Sequence, residues 1–192
     1  MPHDQRSDVN PVESSSRPTL YVMIGLPAAG KTTAARQLED EHRALRLTPD
    51  EWMIPLFGES EAGGKRDVLE GRFVWLATRA LRFGVSVVLD FGVWGKDERS
   101  ALRCLAEEVG ADCRLVYLPV DETEQQVRIL GRMTADPEST FPVDSDDLHR
   151  FRRSFQVPDD SELTGSAIEA PPAGYDSWRS WAAERWPSSM SG

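Results

Sequence analysis

Short apolar runs alternate with longer stretches in which apolar residues recur at helical spacing, from Leu20 onward to the end of the chain's middle third. The compact runs predict strands over 20–25 (Leu-Tyr-Val-Met-Ile-Gly), Ala44 to Leu47, Val85 to Leu89 and Cys113 to Leu118, the third suiting a central strand buried on both faces. The periodic stretches predict helices over about 31–42, Asp67 to Phe83, Lys96 to Val109, Asp121 to Met133 and Asp146 to Phe155. In the second of these, Leu69, Phe73, Leu76, Ala80 and Phe83 share a face, Arg72, Arg79 and Arg82 lie elsewhere on the wheel, and Gly84 stops the helix. The third turns Leu102, Leu105, Ala106 and Val109 inward and stops at Gly110, while Asp121-Glu122-Thr123-Glu124 reads as a capping box opening the fourth. Strand and helix alternation predicts an α/β, three-layer fold: a mostly parallel sheet of about four or five strands with helices on both faces.

The remaining segments break both periods. Gly58 to Arg66 has turn composition and is expected as a mobile surface loop. Residues 134–146 form no regular element and are expected as a functional or disordered loop. Residues 1–17 and 187–192 are expected as disordered tails around one domain spanning 18–186. Near the C-terminus, Tyr175, Trp178, Trp181 and Arg185 lie on one side of a helical stretch, an aromatic stripe expected to dock on the core. The first residues contain no apolar segment suited to a signal peptide, and no run approaches a membrane span, so a soluble cytoplasmic protein is expected. A formal charge of −10 disfavours a broad nucleic-acid-binding face, and Cys104 and Cys113 have no metal-ligand spacing, so buried thiols without a disulfide are expected.

Chemistry enters directly after the first strand, where Gly25-Leu26-Pro27-Ala28-Ala29-Gly30-Lys31-Thr32 matches G-x-x-x-x-G-K-[ST]. In the strand-loop-helix context this pattern cradles a nucleoside triphosphate, with N–H groups of Gly25, Ala28, Ala29, Gly30, Lys31, Thr32 and Thr33 around the phosphates. Lys31 supplies a point charge and Thr32 a hydroxyl for Mg²⁺. Ligands of a parallel sheet bind beyond the carboxyl ends of its strands, which selects three further groups. Asp90, ending the third strand, is expected beside Thr32 at the metal; its alternative is an N-cap or a plain strand-end carboxylate. Asp50, expected at the tip of the strand neighbouring the first, is a candidate base for an acceptor hydroxyl, with Trp52, Met53, Leu56 and Phe57 lining an acceptor pocket; alternatively it caps a short helix over ordinary core. Arg128 and Arg132, four apart, suit a lid over about 128–146 that neutralises charge on the transferred phosphoryl group, or a solvated face pairing with Glu124 and Asp121. Lys96 and Arg99 are further candidates for substrate contact, or surface partners of Asp97 and Glu98. No N-K-x-D signature for guanine occurs, and His3, His42 and His149 have no metal spacing.

Through the loop, Asp50, Asp90 and the paired arginines, residues from about Leu20 to Pro158 resemble the small P-loop kinases grouped with chloramphenicol phosphotransferase, zeta toxins and polynucleotide 5′-kinases. The resemblance implies a nucleoside-monophosphate-kinase-like P-loop fold and an ATP- and Mg²⁺-dependent phosphotransferase, with Asp50 activating an acceptor hydroxyl and Arg128 and Arg132 clamping the donor phosphates. Polynucleotide kinases carry an arginine shortly after the catalytic aspartate, where this chain has Trp52-Met53-Ile54. A small-molecule acceptor such as a nucleoside, sugar or antibiotic is therefore expected. The rivals are a polynucleotide 5′-hydroxyl kinase and a regulatory ATPase acting through a protein partner; neither the acceptor nor the oligomeric state is legible.

Overall fold

A computed structural model describes residues 17–59, 62–135 and 145–190. The expected N-terminal tail falls almost entirely outside them, as does most of the expected 134–146 loop. Four strands, β1 (Thr19–Ile24), β2 (Leu45–Leu47), β3 (Val87–Leu89) and β4 (Asp112–Tyr117), form one sheet in the order β2-β3-β1-β4, every pair parallel. The register sets Val22 between Leu89 and Leu115, and Leu47 beside Leu89. Both interior strands, β1 and β3, are buried along their whole length, which is why they read as unbroken apolar runs.

Helices α1 (Lys31–His42), α2 (Pro49–Phe57), α3 (Lys65–Arg82), α4 (Lys96–Glu108), α5 (Glu122–Ala135), α6 (Ser145–Ser154), α7 (Asp160–Leu163) and α8 (Trp178–Arg185) surround the sheet. The larger core joins Leu20, Val22 and Ile24 to Phe73, Val74 and Leu81 of α3 and to Leu102 and Leu105 of α4, whereas Tyr21, Met23 and Val88 face Ala35 of α1 on the opposite side. Thus alternate residues of β1 serve two cores, giving the three layers.

Three expectations are corrected. First, β2 is an edge strand separated from β1 by β3, so Asp50 does not follow the strand next to the phosphate loop. It lies in the first turn of α2, because Thr48 is extended at the N-cap and Pro49 presets the helical φ at N1. Second, the 58–66 segment is only partly a loop. Gly58 ends α2 in the left-handed region, Ala62–Gly64 make a 3-10 turn in which Ala62 is buried, and α3 begins at Lys65, two residues before the expected start at Asp67. Third, residues 187–190 are not a tail within the described structure. Ser189 is buried and donates from Oγ to Ala182 O, and Met190 packs against the core. The aromatic stripe docks as expected: α8 packs on α4, with Trp178 and Trp186 buried and Trp181 making edge contacts to both. Both cysteines are free thiols, and burial pushes the Cys113 thiol up to about 12.

Candidate active site

The loop from β1 into α1 is shaped by what its glycines leave out. A Cβ on Gly25 would lie 2.9 Å from Leu118 O and 3.1 Å from the Ala29 Cβ, so a side chain has no space there. Gly30 sits at φ +97°, supplies no side-chain cap to α1, and is followed by a first turn without an acidic residue. The first N–H groups of α1 are therefore offered to an anion with no carboxylate of that turn competing for them. Ala28 holds φ +64°, a costly conformation for a residue with a side chain, and the turn is closed by Ala29 N–H donating to Leu26 O at 3.1 Å. Lys31 Nζ lies across this loop, donating to Gly25 O at 2.9 Å and Leu26 O at 3.0 Å.

At the ends of the two interior strands the expected metal-side pair does come together. Asp90 is buried, and both the Thr32 and the Thr48 hydroxyls hydrogen-bond to its carboxylate, the latter at 3.2 Å. Burial raises the Asp90 pKa above the ordinary carboxylate range, opposed by the Thr32 bond, the Lys31 charge, the Thr48 bond and the Arg46 charge. A hydroxyl and a carboxylate, both hard oxygen donors in mutual contact, fit Mg²⁺ completed by phosphate oxygens and water. Among the described residues no cluster of three or more His, Cys, Asp or Glu forms an alternative metal site.

Arg46, for which the sequence alone suggests no role, ties this site to its surroundings. Its guanidinium lies 3.7 Å from Asp90, donates to Thr48 Oγ1, and pairs with Glu39 at 2.8 Å and Glu51 at 2.9 Å. The signal available was a cation inside a three-residue strand, Leu-Arg-Leu, where a solvent-facing charge is ordinary; its convergence on Asp90 is a long-range fact.

Asp50 stands two residues beyond Thr48, with its side chain 62% exposed and its Oδ1 accepting from Arg66 Nη1 at 2.8 Å. Arg66 also pairs with the buried Glu70 at 3.2 Å. Arg66, from the first turn of α3, thus ties Asp50 to Glu70. Around Asp50 the expected acceptor residues divide. Trp52 is 45% exposed and meets Phe73 edge-on, and Phe57 lies exposed under the Lys65 ammonium, 5.0 Å from its ring centre. Met53, by contrast, is fully buried in the main core and lines no pocket, because the helix turns position 53 inward and its neighbour 52 outward, while Phe57, one turn after Met53, is left exposed at the end of α2.

Arg99 does not take the expected place at a substrate. It is 0% exposed, forked onto Glu162 through Nε at 2.7 Å and Nη2 at 3.1 Å, and donates to the Trp94 and Gln156 carbonyls, so it holds α7 to α4 and is not presented to a ligand. Lys96 pairs with Asp159 and Glu169 rather than with its helix neighbours. Arg128 reaches the phosphate loop from α5, donating to Ala28 O at 3.1 Å, and also makes the expected pair with Glu124, at 2.5 Å. The backbone of Arg132 is helical on α5; its side chain, like the centre of the expected lid, lies outside the described structure. A cavity of about 570 Å³ opens beside the loop, lined by Ala28, Gly30, Thr33, Gln37, Leu118 and Arg128. That size accommodates the remainder of a nucleotide whose phosphates lie in the cradle.

An all-parallel sheet, a Gly-rich loop at the carboxyl end of an interior strand and a Thr–Asp pair beside it define a P-loop NTPase-like α/β fold. Residues 20–158 match the model of an AAA domain family, and the chain belongs to that family. Solved structures share the fold at low identity. Kti12 of Chaetomium thermophilum, in complex with ADP-AlF3, is 18% identical over 87% of this chain and 95% of its own, with a TM-score of 0.58. A protein of Chloroflexus aurantiacus, provisionally described as a kinase, is 19% identical over 83% of this chain and 85% of its own, also at 0.58. A chain of the Pnkp1/Rnl/Hen1 complex is 18% identical at 0.53, matching 62% of this chain but only 41% of its own length.

Proposed function

We propose that this protein is an ATP-dependent phosphotransferase that moves the γ-phosphate to a hydroxyl of a small organic molecule. The observation that carries the reading is the contact chain at one sheet edge: Thr32 and Thr48 both hydrogen-bond to Asp90, and Thr48 is the N-cap residue of the helix whose first turn bears Asp50. Donor cradle and candidate base are thereby held by one buried carboxylate. Lys31 and the first turn of α1 bind the triphosphate, with Arg128 behind the loop at Ala28. Thr32 and Asp90 would hold Mg²⁺, which offsets charge on the phosphates when bound. Asp50 accepts the proton of the acceptor hydroxyl as its oxygen attacks the γ-phosphorus and the bond to the departing diphosphate breaks. The Arg66 contact orients that carboxylate, and the exposed rings of Trp52 and Phe57 offer the acceptor an apolar surface.

The test is transfer of radiolabelled γ-phosphate to a panel of nucleosides, sugars and aminoglycoside- or chloramphenicol-like compounds. Asp50→Asn is expected to lower transfer about 10²-fold or more while nucleotide still binds. Lys31→Ala is expected to lose nucleotide affinity as well as turnover. Full transfer by Asp50→Asn would remove Asp50 as the base, and unchanged binding and turnover in Lys31→Ala would remove the donor site itself.

A further inference from the structure

Gln125 is a polar side chain with no exposure at all, set on α5 in a position where the apolar spacing of the helix asks for a hydrophobe. Such a group persists only if its amide is satisfied. Its Nε2 donates to Pro27 O in the phosphate loop at 3.0 Å, and its Oε1 accepts from Arg152 Nη2 at 2.7 Å. Arg152 comes from α6, and the same Nη2 reaches Val120 O at 3.3 Å. The rest of α6 supports this contact, since Leu148 and Phe151 pack on Ile129 and on Ala28 of the loop. The Nε of Arg152 is buried without an acceptor among the described residues, a cost that an apolar residue at 152 would avoid.

Two chemical facts give the contact a direction. A guanidinium only donates, so Arg152 forces the oxygen of the Gln125 amide toward itself and the NH₂ toward the loop. A trans peptide holds its C=O and N–H antiparallel, so fixing Pro27 O toward α5 turns the N–H of Ala28, a residue lining the cavity beside the loop, to the side away from α5. We infer that Gln125 and Arg152 are positioning residues for the phosphate loop: Arg152 sets the Gln125 amide, and that amide sets the aim of a phosphate-binding N–H. Nucleotide affinity is thereby coupled to the docking of α6, beyond what the loop motif provides alone.

The inference rests on the loop being a phosphate site, and the experiment separates the two. Calorimetric titrations of the full chain use Mg·ATP and, to remove any contribution of the base, tripolyphosphate. Gln125→Glu keeps the shape and an oxygen for Arg152 but has no hydrogen for Pro27 O. Its affinity for both ligands is expected to fall about tenfold, the loss equivalent to one hydrogen bond of about 1.4 kcal/mol. Arg152→Ala is expected to show a similar loss and Arg152→Lys, which restores a donor to Oε1, to recover part of it; this pair decides the matter if Gln125→Glu does not fold. Folded variants that bind both ligands within about twofold of the wild type, or Arg152→Ala and Arg152→Lys binding alike, overturn the inference. A wild type that binds neither ligand overturns the nucleotide reading instead, and this inference with it.

Discussion

Glu70 is buried under Arg66, and burial raises its carboxyl from the ordinary glutamate value to about 7. The Arg66 and Arg185 guanidinium groups oppose that rise, while Asp67 and Glu98 add to it, so charges from α3, α4 and α8 all face this one group. A folded-state pKa above the unfolded one means that the native state favours the protonated form. Its contribution to stability is complete below pH 4.5 and is lost as pH rises through about 7. Wild-type protein is therefore expected to lose on the order of 2–3 kcal/mol between about pH 5 and pH 8 from this group. Glu70→Gln, which stays neutral, is expected to flatten that part of the profile. Urea denaturation across the pH range measures it, and identical slopes in the two proteins would show that Glu70 does not titrate in this window. The residue scale is also where the chain alone is most and least informative. Lys31, Thr32 and Asp90 were legible because a contiguous motif and a strand end place them. Arg46, Arg66 and Gln125 were not, because each looks like a solvated helix or strand residue until tertiary packing brings in a partner 16 or more positions away.

Among elements, β1, β3 and α4 were legible close to their observed bounds, since their burial is two-sided or strongly one-sided and leaves a clean hydrophobic pattern. Where capping and φ geometry set the boundary, the period misled: α2 begins at Pro49 and α3 at Lys65, so Asp50 became a helix residue and half the expected surface loop became structure. Gly71 shows how a helix accommodates a neighbour that no local pattern reveals. Mid-helix glycine costs stability relative to alanine, yet a Cβ here would come within 2.1 Å of Pro187 O, so the glycine makes room for the backbone after α8. Gly71→Ala is expected to push residues 186–190 off α3 and destabilise by roughly 1–3 kcal/mol. Gly131 on α5 gives the opposite case, since a Cβ there would meet no described atom within 4 Å. Gly131→Ala is expected to be neutral or stabilising by up to about 1 kcal/mol. Thermal melts of the two variants measure the contrast, and equal shifts would mean that the Pro187 approach does not constrain α3.

For the whole molecule the decisive quantity is charge. A formal charge of −10 opposes a polyanion at long range, and many of the basic residues that are present are engaged. Arg72 and Arg79 flank the Trp75 ring at 4.2 and 4.9 Å, Arg99 is buried on Glu162, Arg185 bridges Asp67 and Glu98, and Arg46 serves Asp90. No helix among the described residues is long and apolar enough to cross a membrane. Around Asp50, Arg66 and Lys65 are engaged on its carboxylate and on the Phe57 ring, and the rest of the exposed surface of α2 is largely aromatic and apolar, with Trp52, Ile54, Leu56 and Phe57 on one short helix. A strand of nucleic acid would have to gain its affinity from phosphate contacts and counterion release, which this surface supplies poorly, whereas a compact hydroxyl compound gains from the rings. Between about 50 and 200 mM salt, transfer to the best small acceptor is therefore expected to change little, and a 5′-hydroxyl oligonucleotide to show no salt-sensitive binding. Fluorescence anisotropy of a labelled oligonucleotide, run beside the γ-phosphate transfer assay, measures both. An oligonucleotide that binds at low salt, dissociates steeply as salt rises and becomes phosphorylated at its end would reverse the choice of acceptor while leaving the donor half of the site as described.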